Sequence, residues 1–230
     1  MANDEHFAAL AAASSAHGIP LAGHYPGNVD TALVRGSAPF ESYEHLGGAE
    51  CDGDFAPATY HCPTLDWYYA YTVPQDSMRQ RPGAGYLPDS VTAAWEAEYA
   101  EFDAETDTSY RRRFRAFYAD DFAGRLEDLR CIPEDLLLLS PDASGPYGVP
   151  GYSIHDEMAH YARAGLSPKQ ILRAASENYD RMLGRERGGD YVLLDADPTA
   201  DIANARAVRG VLSRGVYHDR EELEGRLGAL

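Results

Sequence analysis

The sequence predicts an α/β fold, arranged as a barrel or an open sheet with one active face. Three observations carry that prediction. Short apolar segments of strand length alternate with helical ones along the chain, the order expected of parallel strands joined by helices. Leu136 to Leu139 is an unbroken apolar run, as a parallel strand buried on both faces requires. Three of the strand segments end on a side chain able to hold a metal, namely His24, His45 and Asp142, and strand C-termini are where α/β proteins gather their active groups.

Each element follows from local signals. Phe7, Ala8, Leu10 and Ala11 suit an amphipathic helix from Asp4 to His17, with Asp4 as its cap and Gly18 as its stop. Ile19 to His24 reads as extended; Asn28 or Asp30 can open a helix through Leu33 to Arg35, and Gly36 ends it. Phe40 to His45 is the second strand and Tyr60 to Leu65 the third, followed by an aromatic helical turn at Trp67, Tyr68, Tyr69 and Tyr71. These aromatics either pack against a later helix, the favoured reading, or line a pocket. Residues 74–88 carry prolines and glycines and form an excursion. Val91 to Leu129 is helical, broken near Thr106-Asp107-Thr108, and covers the mouth or flank of the sheet. After the leucine run comes a Pro/Gly loop; then Ser153 with Asp156 resembles a capping box opening a helix to Arg163, and Ser167-Pro168 opens the next. From Tyr191 the character changes to short strands, Tyr191 to Leu194 and Val208 to Tyr217, with Gly215 as a turn.

Bulk properties narrow the function. Aspartate and glutamate outnumber lysine and arginine 37 to 20, giving a formal charge of −17, which excludes nucleic acid and anionic membranes as main partners. Lys169 is the only lysine. Cys51, Cys62 and Cys131 are odd in number and lack metal-ligand spacing, so they read as reduced residues of a cytoplasmic protein. The Ala-rich start has Asp4 and Glu5 where a signal peptide needs basic residues.

Two imidazoles and a carboxylate suit zinc, iron or manganese, and three protein ligands with an open position can hold and acidify a water. The alternative for each histidine alone is a hydrogen-bonded core or rim residue. The segments 18–26, 42–46, 60–65 and 136–144, with the long stretches 149–184 and 188–223, resemble the amidohydrolase superfamily, in its imidazolonepropionase-like and prolidase-like branch. The resemblance implies a partial (β/α)8 TIM-type barrel, strands five to eight with their helices, over residues 1–187, and a C-terminal β segment of the composite β-domain over 188–230. It implies that His24 and His45 bind a divalent metal, zinc foremost, and that Asp142 is both metal ligand and general base. It gives His155 a pocket or ligand-supporting role, against a plain solvent-exposed histidine at a helix start.

The departures from that family are as informative. The chain begins just before the fifth-strand match, so the family's His-x-His pair has no counterpart, and no lysine precedes His24 to bridge two metals. A proline, Pro141, stands directly before Asp142, and the turn before the last strands is shortened to Gly188-Gly189-Asp190. His155 and His160 are five apart, not four, and cannot share a ligand face on one helix. The expected activity is hydrolysis of C–N bonds in small amides, cyclic amides or dipeptides by metal-activated water, with weak metal affinity and poor or absent activity in this chain alone. A half barrel exposes edge strands, so a homodimer or a separately encoded N-terminal half is the expected protein partner. The alternative function is a non-catalytic relative or gene fragment acting as a binding or regulatory protein.

Overall fold

Asn3, not Asp4, opens the first helix: its side chain accepts the His6 N–H at 2.9 Å. Asp4 instead accepts the Asp30 N–H at 2.8 Å and so ties this helix to the start of the second, a long-range use that local capping rules do not anticipate. The computed structural model describes residues 3–36, 40–46, 59–143, 145–186 and 188–228; Cys51 lies outside them. Helix α1 (Asp4–His17) ends at Gly18, whose φ of 63° is the left-handed cap that glycine adopts without strain. Strand β1 (Leu21–His24) follows, then α2 (Thr31–Gly36), where the Asp30 carboxylate accepts the Ala32 N–H at 2.8 Å.

Strands β2 (Phe40–Glu44) and β3 (Tyr60–Cys62) complete a parallel sheet of order β1-β2-β3. Each is shorter than the sequence predicts, because His45 and Thr64 take left-handed backbone angles, φ 67° and 51°, that no strand can continue. Register places Tyr43 beside His61, and Glu44 beside both His24 and Cys62. Tyr43 and His61 are wholly buried. Tyr43, with Leu137 and Leu139, belongs to the main core that holds Phe7, Leu65, Tyr161 and Ile171. On the other face Tyr60, Cys62 and Leu138 pack together beneath Tyr179 and Met182.

The expected fourth strand is only begun. Residues 134–136 form a 3-10 turn, and Leu137 makes a single parallel bridge to His61, with the Leu138 N–H donating to the His61 carbonyl at 2.8 Å. The far side of this run is occupied: the Leu139 N–H donates to the Ala174 carbonyl at 3.1 Å, and the Asn178 amide donates to the Leu137 carbonyl at 2.7 Å. One predicted open edge is therefore closed by the chain's own helices, whereas β1 pairs on one side only among the described residues.

Helix α3 (Leu65–Ala70) carries the aromatic turn, and the excursion after it folds into the short helix α4 (Gln75–Arg79) and a 3-10 turn at Ala84–Tyr86. Helices α5 (Asp89–Glu105) and α6 (Thr108–Asp128) are separated where the sequence predicts, because Thr106 is extended and Asp107 caps α6 through the Tyr110 N–H at 2.7 Å. Helix α7 (Ser153–Arg163) begins at the predicted residue without the predicted capping box: the Ser153 hydroxyl accepts the Val149 N–H at 2.9 Å, and Asp156 pairs with Arg206. The Ser167 box with Gln170 does open α8 (Pro168–Ala174), and α9 (Glu177–Met182) follows.

The last sheet is antiparallel, β4 (Tyr191–Leu194), β5 (Val208–Ser213) and β6 (Val216–Asp219), with β5 and β6 joined through Gly215, and α10 (Arg220–Leu227) closes the chain. The molecule is thus mixed α/β, with one parallel and one antiparallel three-stranded sheet among the described residues. Cys131 is disulfide-bonded and Cys62 is a buried free thiol, so the reading of all three cysteines as reduced is corrected at Cys131. Among the described residues no helix is long and apolar enough to cross a membrane.

Candidate active site

Because β1, β2, β3 and the Leu137–Leu139 run are parallel, their C-terminal ends share one rim. His24 is the last residue of β1, His45 follows β2 directly, Thr64 lies two residues past β3, and Asp142 three past Leu139. The His24 and His45 rings are 4.5 Å apart between centroids. His45 Nε2 lies 3.7 Å from Asp142 Oδ2. The three residues named by sequence reasoning are therefore neighbours at one end of the sheet.

His45 is held from every side. Its Nδ1 is 2.6 Å from Thr64 Oγ1, its N–H donates to the Cys62 carbonyl at 2.9 Å, and its own carbonyl accepts from the Arg125 guanidinium and from the Tyr68 hydroxyl at 3.4 Å. Arg125 in turn stacks 3.5 Å over the Tyr68 ring. His45, Thr64 and Asp142 all have positive φ, 67°, 51° and 47°. Such backbone costs about 1–3 kcal/mol per residue and persists only where the surroundings impose it, most often at functional sites. Burial, followed by the adjacent His24, pushes the His45 imidazole below the ordinary histidine value, with Asp142 and Glu44 opposing. Neutral imidazole is the form that ligates metal.

The anchor beneath this arrangement is Glu157. Wholly buried, it accepts the Leu65 and Asp66 N–H groups at 2.8 and 2.6 Å, capping α3 directly behind Thr64. Burial pushes its carboxyl well above the usual carboxylate range, and the two N–H bonds pull it back. Sequence reasoning passed over Glu157, although its place between Ile154, Met158 and Tyr161 on the inward face of α7 marks a carboxylate where an apolar side chain is expected.

From Asp142 a cleft of about 150 Å³, open to solvent, runs between α3, α5 and α6. Trp67 and Tyr71 line it while also packing against Tyr118, at 6.5 and 4.8 Å between ring centroids, so both readings of the aromatic turn describe part of it. His155 is elsewhere: it does not line the cleft, and its charged neighbours are Arg206 and Asp156. Its imidazole is likewise pushed down, first by burial and then by Arg206. His160 faces the buried Asp66 at 3.3 Å, and Asp66 also pairs with Arg81.

Two imidazoles and a carboxylate are a donor set that suits a divalent ion. The Thr64 contact supports the fit, since it engages Nδ1 and leaves Nε2 as the nitrogen facing Asp142. Among the described residues, no three or more His, Cys, Asp or Glu side chains converge as a ready cage.

Comparison with solved structures decides the fold. A bottromycin amidohydrolase superposes with a TM-score of 0.73 at 25% identity, over 98% of this chain and 56% of that one. The fold is amidohydrolase-like. A Xaa-Pro dipeptidase with methionine in its active site superposes with a TM-score of 0.59 at 15% identity, over 94% of this chain and 48% of that one. A putative prolidase from Bifidobacterium longum gives 0.59 at 16%, over 99% and 55%. This amidohydrolase-like chain spans about half the length of these structures. No family model matches it, and no curated protein does.

Proposed function

We propose that this chain is the metal-facing portion of a hydrolase acting on C–N bonds of small amides, cyclic amides or dipeptides. The observation that carries the reading is the placement of His24, His45 and Asp142 along one strand-end rim, with the His45 imidazole held below the ordinary histidine value and oriented by Thr64. The parallel strands then represent four units of an eight-unit barrel within residues 1–187, and residues 188–230 a separate β segment. The open edge of β1 is where a second copy or a further chain segment would continue the sheet.

In this reading His24 and His45 would hold a divalent ion, zinc foremost, with Asp142 completing the set. When bound, such an ion supplies Lewis acidity towards water and the scissile carbonyl. Asp142 accepts the proton of the attacking water and passes it to the leaving nitrogen. Thr64 fixes the His45 ring, and the aromatic cleft beside Asp142 gives the apolar part of a substrate a wall to lie against.

The test is hydrolysis of dipeptides and N-acyl amino acids by the full chain with and without added zinc. Zinc-dependent turnover that Asp142→Asn abolishes supports the reading, and zinc-independent turnover, or none, contradicts it. A non-catalytic binding protein is the second reading, favoured by the lack of three converged donors among the described residues.

A further inference from the structure

The cleft beside Asp142 has a chemical character of its own. Trp67 comes from α3, Tyr71 from the residue just after it, Phe102 from α5, and Phe114 and Arg115 from α6. Phe114 and Arg115 lie three and four residues after Arg111, so all three share the inward face of α6. The rings form one continuous wall: Trp67 to Tyr71 is 4.7 Å between centroids, Tyr71 to Phe114 is 5.8 Å and Phe102 to Phe114 is 5.4 Å.

Three guanidinium groups reach this wall, and two are committed. Arg81 is paired with Asp66 through both of its terminal nitrogens. Arg111 donates to the Thr106 carbonyl at 2.7 Å and to the Asp103 carbonyl at 2.9 Å. Arg115 is half-buried and makes no hydrogen bond or ion pair with any described residue. Glu98, on the opposite wall, is exposed and forms no ion pair with it. In a chain with 37 acidic residues against 20 basic ones, a half-buried guanidinium that forms no ion pair among the described residues keeps its donors available for an anion. Guanidinium favours a planar, bidentate acceptor such as a carboxylate.

We propose that Arg115 is an anion subsite, and that the cleft takes an N-acyl amino acid or dipeptide whose free carboxylate docks on Arg115. A large apolar or aromatic side chain lies against Trp67, Tyr71 and Phe114, and the acyl C–N bond points towards Asp142. The subsite rests on the hydrolase reading for its role, but its binding can be measured without turnover.

The test uses N-acetylphenylalanine and N-acetylphenylalaninamide as probes of the full chain, followed by tryptophan fluorescence, with Trp67→Phe identifying the reporting residue. The acid should bind about tenfold more tightly than the amide, the size of a charge-assisted hydrogen bond. Arg115→Gln should remove the difference and Arg115→Lys should restore part of it. Equal binding of the two probes, binding of neither, or a preference that survives Arg115→Gln overturns the subsite. Asp142→Asn, which removes hydrolysis, should keep the preference; a preference found in a chain that never hydrolyses either probe preserves the subsite and removes the proposed function.

Discussion

Thr64 Oγ1 lies 2.6 Å from His45 Nδ1, and both residues hold positive φ to make the contact. A β-branched residue in the left-handed region is an outlier, so this hydrogen bond is maintained against backbone preference. It decides which imidazole nitrogen of His45 faces Asp142.

Thr64→Gly separates strain from function. Glycine relieves the left-handed strain but loses unfolded-state entropy of comparable size, so the melting temperature should move by only a few degrees. Zinc affinity, measured by calorimetric titration, should fall by about 10–100-fold, the usual effect of losing a residue that orients a metal ligand. Thr64→Ser should keep it.

Asp142→Asn isolates the carboxylate charge. Asparagine tolerates the left-handed angle that Asp142 adopts, so urea unfolding should give a stability within about 0.5 kcal/mol of the parent. Turnover of any substrate found should drop by about 10²–10⁴-fold, as removal of a general base does.

Glu157→Ala should be severe. It leaves the Leu65 and Asp66 N–H groups buried without acceptors, each costing about 1–3 kcal/mol. Glu157→Gln retains one acceptor oxygen and should lose roughly half as much, read from the midpoint of denaturant unfolding.

Stability should depend on pH in a defined direction. His45 and His155 are both held below the ordinary histidine value of 6.5. The unfolded chain therefore binds more protons than the folded one just below pH 6.5. The contribution is complete above that pH and is lost as pH falls towards the folded-state values. Melting temperature should decline from pH 7 to 5, and His45→Gln should flatten part of the slope. A slope unchanged in the variant would remove His45 from this account.

Much of this was legible in the sequence because it is local. Gly18 ends α1, Ser167 caps α8 and the break at Thr106-Asp107 divides α5 from α6, each through contacts within four residues. His24, His45 and Asp142 were legible because each lies at, or within three residues of, the end of a segment of strand length. What was missed depends on distant partners. Ser153 and Asp156 carry capping chemistry but serve Val149 and Arg206. The leucine run looks like a full strand, yet Ala174 and Asn178 occupy its outer side. Arg115 is one arginine among many in a charged helix until the fold turns it towards the aromatic wall.

The central claim is that His24, His45 and Asp142 together hold a divalent ion, and bound metal per chain tests it most directly. Protein purified without chelators and dialysed against metal-free buffer should retain zinc approaching one equivalent after loading, and His24→Ala or His45→Ala should release it. Retention below about a tenth of an equivalent in the parent chain, since a built site resists washing, or equal retention in both variants, would contradict it.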